Sequence, residues 1–318
     1  MIPRRALAGL AAGLASPAMA QLPWPTRTVT LVVPYPPGGS SDNTARPLAQ
    51  EWSRVIGQSV VIENRGGAGA TIGADLVSRA RPDGYTLLLF PTAVLTISPH
   101  MMPLPYDAER AFTPIAMVSV SEPLVAIHPA LPVRSIAELV AYAKAHPGEL
   151  RFGSAGNGTI TQMQGEIFAD AAGIRLEHVP YRGSGPALTD LLAGRIQLMF
   201  DPVTTASVRD GRLIALATFA EQRSPEFPDV PTLAEAGLAD RGALSWFGIA
   251  GPAGIAPEIQ ARIAETLEQA LKAPQVAQAM AVSGIRPAFL AGEAFADRIR
   301  ADRDVFGALV RRTGARAN

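Results

Sequence analysis

The segment TVTLVVPYPPGGSSD, residues 28–42, decides the fold of this 318-residue chain. Its first six residues are β-branched or apolar and predict a buried strand, and the glycine pair Gly38-Gly39 predicts a tight turn before a helix over 44–56. A series in which strands alternate with helices predicts a parallel sheet joined by right-handed crossovers. The series continues with strands predicted at 59–62 and 85–90 and a helix at 70–80.

A second series of the same kind follows, and two such series predict two α/β lobes. Its strands are predicted at 124–128, 151–154, 177–179, 196–200 and 213–219, and its helices at 135–146, from about 159, and at 186–193. After these come a predicted strand at 245–250 and helices near 257–272, 275–283 and 292–313.

The final helical stretch has little sheet of its own, so we expect it to pack back on the first lobe. The predicted division is therefore lobe 1 at 21–123 plus 226–318 and lobe 2 at 124–225. The chain would cross between the lobes twice, which is the geometry of a hinge. The sequence predicts an α/β, two-lobed fold with a cleft between the lobes.

Composition excludes several classes of function. Lys+Arg and Asp+Glu both number 28, so no basic surplus favours nucleic acid or an anionic membrane surface. The chain has no cysteine, and its four histidines are scattered without the spacing of a metal site. Neither a P-loop nor a G-x-S-x-G elbow occurs. We therefore predict no metal and no other cofactor.

The first twenty residues predict export. Arg4 and Arg5 form a positive region, residues 6–15 are apolar, and Ala18-Met19-Ala20 is an A-x-A cleavage signature. The apolar run is much shorter than the roughly 20 residues that a bilayer span needs. We predict a signal peptide at 1–20, cleavage after Ala20, and a soluble periplasmic protein.

Two glycine loops follow predicted strands, one in each lobe. In the first, either Thr44 caps the helix and leaves Asp42 free to face a ligand, or Asp42 is the cap and Pro47 kinks the helix. The second, FGSAGNGT at 152–159, ends at Thr159, which we predict to cap the next helix. Open α/β sheets place ligands at such strand ends, and helix starts favour anions.

Three other segments allow two interpretations each. The stretch RGGAGATIG, 65–73, departs from the dinucleotide fingerprint, so a structural turn is favoured over a phosphate cradle. Arg182 and Asp201 follow predicted strands, so either could face a cleft, or they could serve as a surface turn and a helix cap. Trp246 is interpreted as a core residue.

The sequence resembles the Bug, or TctC-like, family of extracytoplasmic solute receptors of tripartite tricarboxylate transport systems. The resemblance implies a type II periplasmic-binding-protein fold, a small carboxylate, amino acid or aromatic acid as ligand, and a membrane transporter as partner. We expect a monomer. The segments that carry the resemblance are WPTRTVTLVVPYPPGGSSDNTAR, VVIENRGGAGATIGADLV, RPDGYTLLL, FGSAGNGT, HVPYRGSGPALTDLLAGRIQLMFD and WFGIAGPAG.

The resemblance also implies a set of ligand contacts from both lobes. Those of the first lobe are Gly39, Ser40, Ser41, Asp42, Thr92 and Ala93, and those of the second are Ser154, Gly156, Asn157, Gly158, Thr159, Tyr181 and Asp201. The chain departs from the family at Ile160 and Gln162, where a small polar residue and histidine are usual, and at Pro47.

Two other classes of protein stay open at this point. An exported α/β enzyme could use Asp42 or Asp201 as a base on a small carboxylic acid. A receptor that serves signalling would bind its ligand in the same way and differ only in its membrane partner. The sequence favours a binding protein that is not an enzyme.

Overall fold

The structure, a computed structural model, describes residues 24–238 and 245–315. The predicted signal peptide at 1–20 and its cleavage site lie outside these ranges. Within them, no helix combines the length and the apolar character needed to cross a membrane.

The described strands form two separate mixed sheets, so the predicted two-lobed α/β fold is confirmed. The first sheet has the strand order β11-β4-β10-β3-β1-β2, and the second has the order β7-β6-β8-β5-β9. In chain order the strands are β1 (Val29–Val33), β2 (Val60–Asn64), β3 (Thr86–Pro91), β4 (Phe112–Ser121), β5 (Leu124–Ile127), β6 (Arg151–Ser154), β7 (Glu177–Pro180), β8 (Leu198–Phe200), β9 (Ile214–Thr218), β10 (Ser245–Pro252) and β11 (Ile285–Ala291).

Helices cover the sheets and connect their parallel strands. They are α1 (Ser40–Ile56), α2 (Thr71–Ser78), α3 (Ala93–Thr96), α4 (Ser98–Met101), α5 (Ile136–Ala145), α6 (Ile160–Ala172), α7 (Ser184–Leu192), α8 (Thr205–Arg209), α9 (Pro257–Leu271), α10 (Pro274–Ala281) and α11 (Gly292–Thr313). Short 3₁₀ turns occupy Ala68–Ala70 and Pro202–Thr204.

The parallel parts of both sheets agree with the predicted crossovers. Strand β1 pairs in parallel with β2 and β3, and β6 pairs in parallel with β7 and β8. Strand β5 departs from the predicted series, since it runs antiparallel to β8 and β9. It is the strand by which the chain enters the second sheet, two residues after β4 of the first sheet. The sequence patterns do not predict strands β4 and β11.

Neither predicted start of α1 is correct. The N-cap is Gly39, in an extended conformation, so Asp42 lies in the first turn and Pro47 lies inside the helix. The Asp42 carboxylate reaches back to accept the Gly38 N–H at 3.0 Å. The helix therefore begins four residues earlier than predicted, directly at the glycine loop.

The chain passes between the sheets twice, from β4 to β5 and from β9 to β10. The predicted lobe boundaries stay a prediction, and helix α11 shows why they are hard to draw. Its residues Phe295 and Ile299 pack with the first sheet, whereas Phe306, Leu309 and Val310 pack in the core of the second. One helix thus contributes to the hydrophobic cores beside both sheets.

Candidate functional site

A small cavity, here called the inner cavity, lies between the two sheets. Its volume is about 30 Å³, room for about two water molecules. Its lining comes from the carboxyl ends of strands and from the starts of the helices that follow them. The lining residues are Tyr35, Gly39, Ser40, Ser41, Pro91, Ala93, Ala155, Thr159, Ile160, Thr161, Ser184, Asp201, Pro202, Ser245 and Phe247.

Three helices of at least two turns begin at this cavity. The first residues of α1, α6 and α7 are Ser40, Ile160 and Ser184, and all three line it. The first turn of a helix has N–H groups without an intrahelical acceptor, and its dipole places partial positive charge there. The inner cavity is therefore surrounded by helix starts from both lobes, and among the described residues no Lys, Arg or His lines it.

Within the described part of the chain, Asp201 carries the one charged side chain that lines the inner cavity. Its carboxylate accepts hydrogen bonds from Ser40 Oγ at 2.6 Å, from the Val203 N–H at 2.9 Å and from Ser184 Oγ. Ser40 belongs to α1 beside the first sheet, so this contact joins the two lobes. Burial raises the pKa of Asp201 above its ordinary value, and the three hydrogen bonds oppose that rise.

Both interpretations of Asp201 from the sequence describe part of its role. The side chain caps the 3₁₀ turn Pro202–Thr204 through the Val203 N–H, and it also faces the cavity between the lobes. A cap and a cavity group are compatible because a carboxylate can accept several hydrogen bonds on its two oxygens.

A second cavity, here called the outer cavity, adjoins the inner one. Tyr35 and Ala155 line both, and the outer cavity is larger, at about 410 Å³. Burial raises the pKa of the Tyr35 phenol, so this shared wall is uncharged at neutral pH. The outer cavity is lined by Tyr35, Gly67, Ala68, Gly69, Met102, Ala155, Gly156, Asn157, Pro180, Tyr181 and Arg182.

The backbone of segment 67–70 comes very close to the second glycine loop. All four residues of this segment have positive φ, including Ala68 at 47° and Ala70 at 83°. A Cβ placed on Gly69 would lie 2.2 Å from the Asn157 carbonyl oxygen. Only a glycine permits this approach, so the stretch 65–73 is a turn, as predicted, and one that contacts the other lobe.

The predicted ligand contacts divide into three groups. Asp42, Thr92, Ser154 and Gly158 line neither cavity. The inner cavity contains Gly39, Ser40, Ser41, Ala93, Thr159 and Asp201, and the outer cavity contains Gly156, Asn157 and Tyr181. Whether these residues contact a ligand stays a prediction.

The side chain of Asp42 is held by three partners on the first lobe. Arg46 binds both carboxylate oxygens, at 2.7 and 2.9 Å, and Asn64 and the Gly38 N–H add further hydrogen bonds. Burial acts to raise the pKa of Asp42, but these contacts outweigh it and hold the pKa below its ordinary value. Asp42 is thus ionised and already paired, and its local role is to fix the loop before α1.

Thr92, Ser154 and Gly158, which also line neither cavity, have hydrogen-bond partners within the protein. Thr92 Oγ1 donates to the Trp246 carbonyl oxygen at 2.9 Å, which joins β3 to β10. Ser154 Oγ lies 2.6 Å from His178 Nε2. Gly158 donates its N–H to Gln162 Oε1 at 2.9 Å. The last two contacts hold the second glycine loop. Trp246 is fully buried, as predicted.

Several lining residues are absent from the predicted contacts. Tyr35 lies beside the first glycine loop and Ser184 at the start of α7, both within segments that carry the family resemblance. Their position after the end of a strand is the signal that could have predicted them. Phe247 and Ser245 come from β10, which reaches the cavity only because it inserts between β3 and β4. Of the three departures from the family, Ile160 lines the inner cavity, Gln162 supports its loop, and Pro47 lies inside α1.

Fold and site together define a class: a two-lobed periplasmic binding protein with its cavity between the lobes. The sequence model of the tripartite tricarboxylate transporter family receptor, TctC, matches residues 44–314. BugT of Bordetella pertussis is 36% identical over 310 residues, which are 96% of this chain and 94% of BugT. The chain belongs to this receptor family, and the resemblance predicted from its motifs is confirmed.

Two solved structures of similar proteins carry acids. A protein of R. palustris solved with adipate has a TM-score of 0.88 and 31% identity, covering 92% of this chain and 99% of that one. MatC of Rhodopseudomonas palustris with bound malate has a TM-score of 0.83 and 29% identity, covering 90% of this chain and 100% of MatC. The family is one of periplasmic receptors.

Proposed function

We propose that this protein captures a small carboxylate in the periplasm and presents its closed, liganded form to a membrane transporter. The observation that carries the proposal is the convergence of three helix starts, α1, α6 and α7, on one inner cavity. The adipate and malate bound by two similar proteins support a carboxylate as the ligand class.

The carboxylate would bind through neutral donors. Backbone N–H groups at Ser40, Ser41, Ile160 and Thr161 lie in first helical turns, where anions are favoured. Hydrogen bonds to a charged group contribute roughly 1.5–3 kcal/mol each. Three or four of them give roughly 4.5–12 kcal/mol before ordering costs. Micromolar affinity corresponds to about 8 kcal/mol, so the bonds must lie at the strong end of this range.

Asp201 restricts where that carboxylate can sit. The hydroxyls of Ser40 and Ser184 already donate to it, so they face a ligand as acceptors. A ligand carboxylate next to the buried Asp201 carboxylate would be repelled. We therefore infer that the anion lies nearer to the start of α6, where Ile160 and Thr161 line the cavity, than to the Asp201 carboxylate, within reach of the donors of both helices.

The test is a thermal-shift screen of the purified protein against small carboxylates, amino acids and neutral sugars. A ligand at about 100 times its Kd stabilises the folded state by about 2.7 kcal/mol, which raises the melting temperature by several degrees. We expect a saturable rise with at least one carboxylate. A response to sugars alone would reject the proposed ligand class.

Closure of the lobes is tested separately by small-angle X-ray scattering. Because the ligand would be enclosed between the two sheets, saturating ligand should reduce the radius of gyration. Binding without any change in that radius would contradict capture by closure.

The rival proposal is an exported enzyme that uses Asp201 as a base. The observation in its favour is a buried carboxylate with a raised pKa in the cavity. It predicts turnover of the bound acid, abolished in Asp201→Asn. Recovery of the acid unchanged after prolonged incubation with the protein would favour the receptor.

A further inference from the structure

The carboxylate of Asp201 joins the two lobes directly. Asp201 follows β8 of the second sheet, and its Oδ1 accepts a hydrogen bond at 2.6 Å from the hydroxyl of Ser40, the first residue of α1. Both side chains are buried. Helix α1 connects β1 to β2 of the first sheet, so separation of the lobes breaks this hydrogen bond. The contact therefore belongs to the closed form.

Two further donors hold the same carboxylate on its own lobe. Ser184 Oγ, at the start of α7, donates to Oδ2, and the Val203 N–H donates to Oδ1 at 2.9 Å. These donors fix the orientation of the Asp201 carboxylate whether or not the lobes are in contact. Ser40 then meets an acceptor that is already in place, so little conformational freedom is lost when the contact forms.

The charge of Asp201 also favours contact between two helix starts. Helices α1 and α7 come from opposite lobes, and a Cβ placed on Gly39, the N-cap of α1, would lie 3.7 Å from the Gly185 nitrogen in the first turn of α7. Both helix starts carry partial positive charge, which opposes their approach. The Asp201 carboxylate accepts hydrogen bonds from the first residue of each helix and so offsets this charge.

We propose that Asp201 is a positioning residue for lobe closure, and that its contact with Ser40 is a latch that stabilises the closed form through protein groups alone. This inference rests on the proposed function and assigns to Asp201 a role other than ligand contact or base. The Ser40 hydroxyl donates its proton to Asp201, so it cannot also donate to a ligand carboxylate. The latch changes the affinity for every ligand by the same factor, because the apparent Kd is inversely proportional to the fraction of protein in the binding-competent form.

The experiment compares Ser40→Ala with Ser184→Ala, which remove a hydroxyl donor from the same carboxylate. The chain has no cysteine, so Ser59→Cys and Ala141→Cys place one spin label on each lobe, at exposed positions before β2 and in α5. Pulsed electron paramagnetic resonance then measures the distance between the lobes without added ligand. We expect Ser40→Ala to lower the ratio of closed to open protein about tenfold, the lower end for a hydrogen bond to a charged group. Ser184→Ala should leave this ratio nearly unchanged, because its donor stays with Asp201 in both forms.

Two further measurements separate the latch from a direct ligand contact. Calorimetry with succinate, malate and adipate should show that Ser40→Ala raises the Kd of each acid that binds by the same factor, about tenfold. In the Asp201→Asn background, Ser40→Ala should lower the closed-to-open ratio only about threefold, because a hydrogen bond to a neutral acceptor is roughly half as strong.

The latch would be overturned by an equal loss of closed protein in both alanine variants, or by no loss in either. An effect of Ser40→Ala that is the same with and without Asp201→Asn would also overturn it. Failure of every acid to bind the unaltered protein would overturn the proposed function alone, because the closed-to-open ratio is measured without ligand and still decides the latch.

Discussion

Replacing Gly69 with alanine should prevent the lobes from closing fully. The added Cβ would lie 2.2 Å from the Asn157 carbonyl oxygen, about 1 Å short of a normal C···O contact of about 3.3 Å. The clash is between a Cβ atom and a backbone carbonyl oxygen, so the rotation of a side chain cannot relieve it. The two loops, and with them the lobes, must separate.

The alanine has a second effect that does not depend on closure. Gly69 has φ +61°, a left-handed conformation that costs an alanine about 1–2 kcal/mol. That cost is present in the open and the closed form alike, so it lowers the melting temperature without changing the affinity. The clash acts on the closed form only, and we expect it to raise the Kd about tenfold or more, equivalent to about 1.4 kcal/mol.

Gly57→Ala is the matched control, because Gly57 has φ +67° and, among described residues other than its chain neighbours, no atom lies within 4 Å of the position that an added Cβ would take. Both variants should melt at similar temperatures, and only Gly69→Ala should bind ligand more weakly. Calorimetry gives the Kd, and scattering shows whether ligand still reduces the radius of gyration. Equal affinities for Gly69→Ala and the unaltered protein would refute the reasoning.

Two further predictions concern Asp42 and His178. Asp42→Asn should lower stability by about 1.5–3 kcal/mol through the weakened Arg46 contacts and leave the Kd nearly unchanged; a large rise in Kd with unchanged stability would show instead that Asp42 contacts the ligand. Burial lowers the pKa of His178 to about 4 from 6.5, so below pH 6.5 the unfolded state takes up a proton that the folded state does not. The stability present at pH 7 should therefore decline as the pH falls from 6.5 through 4. His178→Gln should show a shallower decline in its denaturation midpoint, and a slope equal to that of the unaltered protein would exclude this residue as the cause.

Local sequence was sufficient for much of the fold. The strands β1, β3 and β6 and the glycine loops after them could be predicted because β-branched runs and glycine turns act over a few residues. Helix α11 begins and ends at the predicted residues, 292 and 313, because its apolar spacing and its terminal Gly314 are also local signals.

Contacts between distant residues could not be predicted in this way. The sequence suggested Asp42 as a ligand contact, yet Arg46 and Asn64 hold its carboxylate, and Asn64 is reached only because β2 pairs beside β1. The place of β10 between β3 and β4 likewise depends on a chain that returns from the second sheet.

The sequence by itself determined that two glycine loops would follow parallel strands. The tertiary structure alone decided which polar groups face the inner cavity. It pairs Ser40 with Asp201 across the lobes and, within the described ranges, leaves Arg182 without a partner beside the outer cavity. The physical reason is that strand and turn preferences arise from neighbouring residues, whereas the direction and partners of a side chain are set by packing between segments far apart in the chain.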